Sequence, residues 1–141
     1  MIIWLASYPK SGNTWVRAIV NQILYNDVKS KNEVFDNLSR IKRYPSKMDM
    51  IGIPQVPNTN RLTKKQQKEA VDFTVKNWEK SQEDINKSNI KTILKTHNML
   101  CKINLEGKDY SFTNLKNTIG VIHIVRDPRN IVTSAKNHFS L

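Results

Sequence analysis

The stretch that decides the fold lies at the start of the chain, in residues 2–15, which read IIWLASYPKSGNTW. Its first five residues form a continuous apolar run, which is typical of a strand buried in a parallel sheet. After a break at residues 8–12, apolar residues recur with the period of an amphipathic helix that begins near Asn13, namely Val16, Ile19, Val20, Ile23 and Leu24. A strand, a tight loop and a helix in this order predict the opening of a βαβ unit.

Two more strands and further helices are predicted downstream. Residues 26–60 are polar and interrupted by prolines, which indicates a loop with one short helix around residues 33–41. Thr63-Lys64-Lys65-Gln66 has the form of a capping box and predicts a helix that ends near residues 85–88. Strands are expected over residues 90–96 and 119–125, with a polar, turn-rich segment at residues 100–117 between them.

The last predicted element is a helix that begins at Asp127-Pro128, because Asp can cap a helix and Pro suits its first position. The whole order predicts the α/β class, with a P-loop-like parallel sheet flanked by helices. No repeat or linker divides the 141 residues, so one domain is expected. Ligands of such sheets bind at the carboxyl ends of the strands, which is where the residues with chemical potential occur here.

The composition is strongly basic, with a formal net charge of +11. This charge favours an anionic partner, which could be nucleic acid, a membrane surface or a phosphorylated small molecule. Dispersed lysines such as Lys29, Lys31 and Lys64 are expected to be solvated. A lone cysteine, Cys101, excludes an intrachain disulfide and a cysteine-rich zinc site. No stretch is long enough to span a bilayer, so we expect a cytoplasmic protein without a transmembrane segment.

The first candidate site is the loop over residues 7–15. Backbone N–H groups and the positive end of a helix dipole bind phosphate readily. Gly12 allows close approach of the backbone, Ser11 and Thr14 add hydroxyl donors, and Lys10 adds a charge. Because Lys10 precedes the glycine, the loop differs from the G-x-x-x-x-G-K-[ST] loop of ATP and GTP sites. The alternative is a strand-to-helix turn in which Ser and Thr only cap the helix.

The second candidate site is Lys95-Thr96-His97, at the end of a predicted strand. Histidine can act as a general base near neutral pH, and Lys95 can stabilise negative charge on a transferring group. A histidine at a strand end is often an incidental polar residue, so this segment is meaningful only beside the other two sites. His123 and His138 are expected to be incidental.

The third candidate site covers residues 125–134. Arg126 ends a strand and Ser134 lies about two turns into the following helix, where charge and a hydroxyl donor can together hold a second phosphate. Asn130 shares the helix face of Ser134, since the two are four residues apart. The alternative pairs Arg126 with Asp127 at the surface and leaves Ser134 in solvent.

Taken together, the three motifs resemble those of the PAPS-dependent sulfotransferase family, whose donor is 3′-phosphoadenosine 5′-phosphosulfate (PAPS). The first is similar to the family's Tyr-Pro-Lys-Ser-Gly-Thr-Thr-Trp loop and the second to its Lys-Thr-His segment. The third is similar to its Arg-[Asn/Asp]-Pro-x-[Asp/Asn]-x-x-x-Ser motif. All three occur in the family's order. Residues 26–88 match no motif; in the family, such segments build the acceptor pocket.

The resemblance implies a sulfuryl transfer to a hydroxyl or amine, with three catalytic residues. His97 would take the proton from the acceptor, Lys10 would help the bridging oxygen to leave, and Lys95 would stabilise the equatorial sulfuryl oxygens. No metal is implied. The acceptor would be a small molecule or a carbohydrate, and no nucleic acid partner is implied.

The resemblance also implies how PAPS would be held. Trp15 would lie against the adenine, and Arg126 with Ser134 would grip the 3′-phosphate. The cradle of the 5′-phosphate would be formed by Ser11, Gly12, Asn13 and Thr14. Asn13 stands where the family has Thr or Ser, and we expect a mild effect, because the backbone N–H there does the main work. Family members continue beyond residue 141. We therefore expect residues 1–141 to be the N-terminal portion of a single sulfotransferase domain, truncated before its C-terminal part. The activity of this chain alone is left open.

Two other functions are consistent with parts of the pattern. A P-loop nucleotide kinase shares the strand-loop-helix arrangement, but Lys10 is misplaced for it and Asp127 is the one candidate for a magnesium carboxylate. A non-catalytic basic module that binds nucleic acid is favoured by the net charge alone, without a recognisable binding motif.

Overall fold

The computed structural model describes residues 1–25, 37–45, 63–88, 90–98 and 102–139. Its elements are β1 (Ile2–Ser7), α1 (Asn13–Tyr25), a 3₁₀ helix (Asn37–Arg40), α2 (Lys64–Lys76), α3 (Trp78–Asn86), β2 (Thr92–Thr96), β3 (Lys102–Leu105), β4 (Lys108–Ser111), β5 (Thr118–Ile124) and α4 (Pro128–Phe139). None of the described helices is long and apolar enough to cross a membrane.

The chain forms two compact units, which are described separately. The sheet unit comprises Ile3–Tyr44, Thr92–Asn98 and Gly120–Leu141. The hairpin unit comprises Met1–Ile2, Pro45–Lys91 and Met99–Ile119. The predicted loop residues 26–36 and 46–62 and the lone Cys101 lie outside the described residues.

A three-stranded parallel sheet in the order β2-β1-β5 confirms the predicted α/β class. β1 is the central strand, and Ile2, Trp4 and Leu5 are completely buried. A central strand is covered on both faces, which is the physical reason for its uninterrupted apolar sequence. The same parallel arrangement brings the carboxyl ends of β1, β2 and β5 to one edge, and the three candidate sites follow these ends.

Helix α1 begins at Asn13 as predicted, but it does not bury its apolar stripe. Ile23 is 73% exposed and Ile19 is 56% exposed, whereas the buried residues of the helix include Asn13 and Asn21. The polar side is buried because it donates hydrogen bonds to backbone carbonyls. Asn21 Nδ2 donates to the carbonyl of Asn37 at 2.9 Å.

The 3₁₀ helix occupies part of the range where a short helix was predicted, and the segment after it extends the sheet. The N–H of Tyr44 donates to the carbonyl of Lys95 and the N–H of Lys95 donates to the carbonyl of Lys42, both at 2.8 Å. Arg43 is therefore paired in parallel with Lys95 of β2. The buried ring of Tyr44 contacts Trp4, with ring centroids 5.3 Å apart, and this contact anchors the segment in the core.

The predicted capping box is confirmed at the start of α2. The N–H of Gln66 donates to Thr63 Oγ1 at 3.3 Å, and the N–H of Thr63 donates to Gln66 Oε1 at 3.0 Å. The single helix predicted to run to residues 85–88 is instead two helices, because Asn77 leaves helical geometry with φ −102° and ψ 0°. Asn77 Nδ2 donates to the carbonyl of Phe73 at 2.8 Å, a local bond that competes with continuation of the helix.

The turn predicted near Gly107 is confirmed, but the strands on either side of it were not predicted. β3 and β4 form an antiparallel hairpin, with Leu105 opposite Lys108. Glu106 and Gly107 connect them with φ values of 54° and 80°, and a tight two-residue hairpin turn needs positive φ at both positions. The signal in the sequence was the alternation of polar and apolar residues along β3, which reads KINL. A run of four residues is too short to distinguish from a loop by its pattern alone.

A buried amide organises the core of the hairpin unit. Gln82 is completely buried; its Nε2 donates to the carbonyl of Phe112 at 2.5 Å, and its Oε1 accepts from the hydroxyl of Thr113 at 2.7 Å. Beside it, the rings of Trp78 and Phe112 meet edge to face with centroids 5.3 Å apart. This side chain therefore joins α3 to the segment after β4.

Gln82→Ala is expected to destabilise the protein by about 1–3 kcal/mol, because it removes two hydrogen bonds of a buried side chain, to the carbonyl of Phe112 and from the hydroxyl of Thr113. Urea unfolding measures the loss. The matched control is Glu83→Ala, an exposed neighbour on the same helix, for which we expect about 0.5 kcal/mol or less. Equal losses for the two variants would contradict the role given to Gln82.

Candidate functional site

The loop between β1 and α1 turns sharply because two of its residues have positive φ. These are Lys10, with φ 66°, and Gly12, with φ 98°. The N–H of Ser11 donates to the carbonyl of Tyr8 at 3.3 Å, and the N–H of Val16 donates to that of Gly12 at 3.2 Å. A Cβ at Gly12 would meet no atom within 4 Å, so glycine is needed here for its backbone conformation and the space beside it is open.

The loop presents several donors that suit an anion. The N–H groups of Asn13 and Thr14 begin α1 and have no acceptor within the helix, and the positive end of the helix dipole lies there. Ser11 Oγ is buried and has no hydrogen-bond partner among the described residues. Thr14 is exposed, and so is the ring of Trp15, at 67%. The start of α1 therefore has the character of an anion-binding corner with an aromatic surface next to it.

Asn13 has a second role that sequence reasoning missed. Its side chain is buried and points back to the end of β1, where Nδ2 donates to Ser7 Oγ at 3.0 Å and weakly to the carbonyl of Leu5 at 3.5 Å. The effect of replacing Thr by Asn therefore includes a contact with the strand end. This contact depends on a tertiary partner, and no local pattern reveals it.

His97 lies directly against the end of β1. Its Nδ1 is 2.8 Å from the carbonyl oxygen of Ser7 and 3.2 Å from Ser7 Oγ. A carbonyl oxygen can only accept, so Nδ1 carries the proton and the neutral ring presents Nε2 as its acceptor. The strand end thus selects the tautomer in which Nε2 is able to take a proton.

Burial is the main cause that lowers the pKa of His97. The hydrogen bond to Ser7 opposes it by raising the pKa, and the positive charges of Lys95 and Arg43 lower it further. The imidazole is therefore neutral near neutral pH, the form that a general base needs.

Lys95 belongs to β2 and His97 directly follows the strand, close enough for the charge of Lys95 to act on the imidazole. It is half-buried, and its pKa is lowered first by burial and then by the charges of Arg17 and Arg43. Thr96 between them is completely buried, and its Oγ1 accepts from the N–H of Asn98 at 3.1 Å. The end of β2 thus holds one cationic and one basic side chain within electrostatic reach of each other.

The third motif meets the first at Arg126. Its guanidinium Nη1 donates to the carbonyl of Lys10 at 3.1 Å. The alternative pairing of Arg126 with Asp127 is not observed, because Asp127 binds Arg129 at 2.6 Å and accepts from the N–H of Arg129 at 2.9 Å. Asp127 caps α4, as the sequence predicted.

Ser134 lies two turns into α4 and is half-buried, with no hydrogen bond to Arg126 among the described residues. Hydrogen bonds therefore join the loop to Arg126 and the end of β1 to His97. Ser134 lies on the helix that follows Arg126. His123 and His138 are exposed.

The described residues of the sheet unit carry most of the uncompensated positive charge. They contain a single carboxylate, that of Asp127, and nine cationic side chains: Lys10, Arg17, Arg40, Lys42, Arg43, Lys95, Arg126, Arg129 and Lys136. The described part of the hairpin unit is nearly balanced, with ten cationic and seven acidic side chains. Among the residues that the structure describes, most of the net positive charge therefore lies in the unit that holds the candidate site, where it favours an anionic ligand.

A protein-family model described as "Sulfotransferase domain" matches residues 2–141. The match includes all three motif segments. No curated protein and no solved structure gives a significant match.

His97 is expected to be the Nδ1-protonated tautomer at pH 7, with a pKa below the ordinary value of 6.5, because burial and neighbouring cations oppose its charged form. The ¹⁵N chemical shifts and their pH titration measure both properties, and the exposed His123 is an internal control. A proton on Nε2 in the neutral ring, or a pKa above the ordinary value, would contradict the arrangement.

Proposed function

This chain belongs to the sulfotransferase domain family, and we propose that it transfers a sulfuryl group from PAPS to a hydroxyl or amine, with His97 as the general base. The observation that supports this most strongly is the bond from His97 Nδ1 to the carbonyl of Ser7, because it leaves Nε2 available beside the loop that begins α1. A proton acceptor next to an anion-binding corner is the arrangement that sulfuryl transfer needs.

The donor has two anionic ends, and the basic edge of the sheet suits both. Lys10 and the start of α1 would hold the 5′-phosphosulfate, with Ser11, Gly12, Asn13 and Thr14 as the cradle. The open space at Gly12 and the unpartnered Ser11 Oγ fit such a ligand. Arg126 and Ser134 would hold the 3′-phosphate, and the bond from Arg126 to the Lys10 carbonyl keeps the two corners adjacent. Trp15 offers its exposed ring to the adenine.

The proposed step forms one bond to sulfur, breaks another bond to sulfur and transfers one proton. An acceptor lone pair forms a bond to sulfur, and the acceptor proton goes to His97 Nε2. The bond between sulfur and the bridging oxygen breaks, and its electron pair leaves on the 5′-phosphate, which releases adenosine 3′,5′-bisphosphate. Lys10 neutralises the leaving oxygen and Lys95 the equatorial sulfuryl oxygens, so catalysis rests on alignment and charge stabilisation.

The acceptor is proposed to be a small molecule or a carbohydrate that reaches His97 from the side opposite the leaving phosphate. This direction follows from the geometry of an in-line displacement, in which the attacking and leaving oxygens lie on opposite sides of sulfur.

Adenosine 3′,5′-bisphosphate is expected to raise the Tm more than ATP does at the same concentration, because ATP has no 3′-phosphate for the Arg126 corner. A ligand at 100 times its Kd stabilises a protein by about 2.7 kcal/mol, so the shift is measurable by differential scanning fluorimetry. Arg126→Ala should reduce the shift, whereas Arg129→Ala, which removes an equal charge already paired with Asp127, should reduce it much less. Equal shifts for both nucleotides, or none, would count against the proposal.

His97→Gln is expected to lower the rate of transfer from radiolabelled PAPS to a panel of hydroxyl and amine acceptors by about 100-fold or more, since it removes the general base. The Tm shift with adenosine 3′,5′-bisphosphate should remain, because His97 does not hold the nucleotide. Unchanged transfer in the variant would exclude His97 as the base, and Mg²⁺-dependent ATP turnover by the wild type would instead indicate a kinase.

A further inference from the structure

The short segment after the 3₁₀ helix brings a cationic side chain to the candidate site from outside β2. The N–H of Lys95 donates to the carbonyl of Lys42, and the N–H of Tyr44 donates to the carbonyl of Lys95, both at 2.8 Å. These two bonds pair Arg43 with Lys95 in parallel register. Paired residues of neighbouring strands project to the same face of a sheet. Arg43 therefore lies on the face that carries Lys95, and its charge acts on both Lys95 and His97.

Contacts on both sides of Arg43 hold this segment, so they fix the position of its backbone. Ile41 and Tyr44, on either side of it, are 1% and 2% exposed. Arg17 of α1 also holds the segment, because its Nη2 donates to the carbonyl of Leu38 and, at 2.9 Å, to the carbonyl of Ile41. The buried ends of the segment leave Lys42 and Arg43 exposed between them.

The charges gathered here have no counter-ion within the described parts of the chain. Arg43, Lys95 and Arg17 have no carboxylate partner among the described residues, and the one described carboxylate of the sheet unit, on Asp127, is paired with Arg129. The pKa of Lys95 is lowered by burial and by these two neighbouring guanidinium groups, which is the expected effect of like charges held together. An anion bound between Arg43 and Lys95 would relieve this repulsion.

The order of the strands indicates which reactant supplies that anion. The proposed donor corners follow β1 and β5, whereas Arg43 is paired outside β2, on the far side of β1 from β5. His97 directly follows β2 and bonds to Ser7 at the end of β1. Arg43 is therefore on the side from which the acceptor must approach.

We propose that Arg43, together with Lys95, forms a subsite for an oxyanion group of the acceptor, so that the enzyme acts on hydroxyl or amine compounds that already carry a carboxylate or sulfate near the reacting group. This inference rests on the proposed function. Arg43 is the specificity-determining residue of the pair, since its planar guanidinium suits two-point recognition of carboxylate or sulfate oxygens. Lys95 is shared with the sulfuryl group.

The test uses inorganic sulfate as the probe, in the full chain saturated with adenosine 3′,5′-bisphosphate so that the donor corners are filled. Sulfate is titrated against chloride at equal ionic strength, and the His97 resonances report binding. We expect a saturable shift in the wild type. Arg43→Gln should raise the sulfate Kd roughly fivefold, as expected for an exposed charge-assisted contact.

Two further variants make the result specific. Lys42→Gln removes the same charge from the adjacent exposed residue, which alternation places on the other face of the segment, and should change the Kd less than twofold. Arg43→Lys should restore part of the affinity. An absent or unsaturable shift, or equal weakening by Arg43→Gln and Lys42→Gln, would overturn the subsite. Failure of the proposed function would appear separately, as a missing rise in Tm with adenosine 3′,5′-bisphosphate, which Arg43→Gln should leave intact.

Discussion

The hydrogen bond between His97 and the end of β1 is the interaction on which the site depends. It ties the carboxyl ends of two parallel strands together and decides which ring nitrogen carries the proton. Ser7 Oγ also accepts a hydrogen bond from Asn13 Nδ2, so the start of α1 belongs to the same hydrogen-bond network. The orientation of the His97 ring and the start of α1 are therefore coupled through one residue at a strand terminus.

The sheet unit departs from the usual rule that a helix buries its apolar side. α1 buries asparagines and exposes Ile19 and Ile23, because its polar side holds the carbonyls of the segment over residues 37–41. The same unit holds nine cationic side chains but only one carboxylate, that of Asp127, among its described residues. The second feature costs stability through repulsion between like charges, and such a cost is typical of functional sites.

Much of the secondary structure was predictable because its signals are local. The apolar run of β1, the capping box at Thr63 and the Asp127-Pro128 start of α4 each specify an element within a few residues. The break at Asn77 and the β3–β4 hairpin were missed. In the first case one side-chain bond ends a helix whose pattern continues, and in the second the strands are only four residues long.

The sequence by itself determined the α/β class and the order of three motifs along one chain, since apolar periodicity, caps and motif spacing are properties of neighbouring residues. Only the tertiary structure decided that Asn13 turns inward to Ser7, that His97 presents Nε2, and that Arg43 lies beside Lys95. Each of these depends on segments that lie far apart in the chain, and hydrogen-bond geometry between such segments leaves no trace in local sequence.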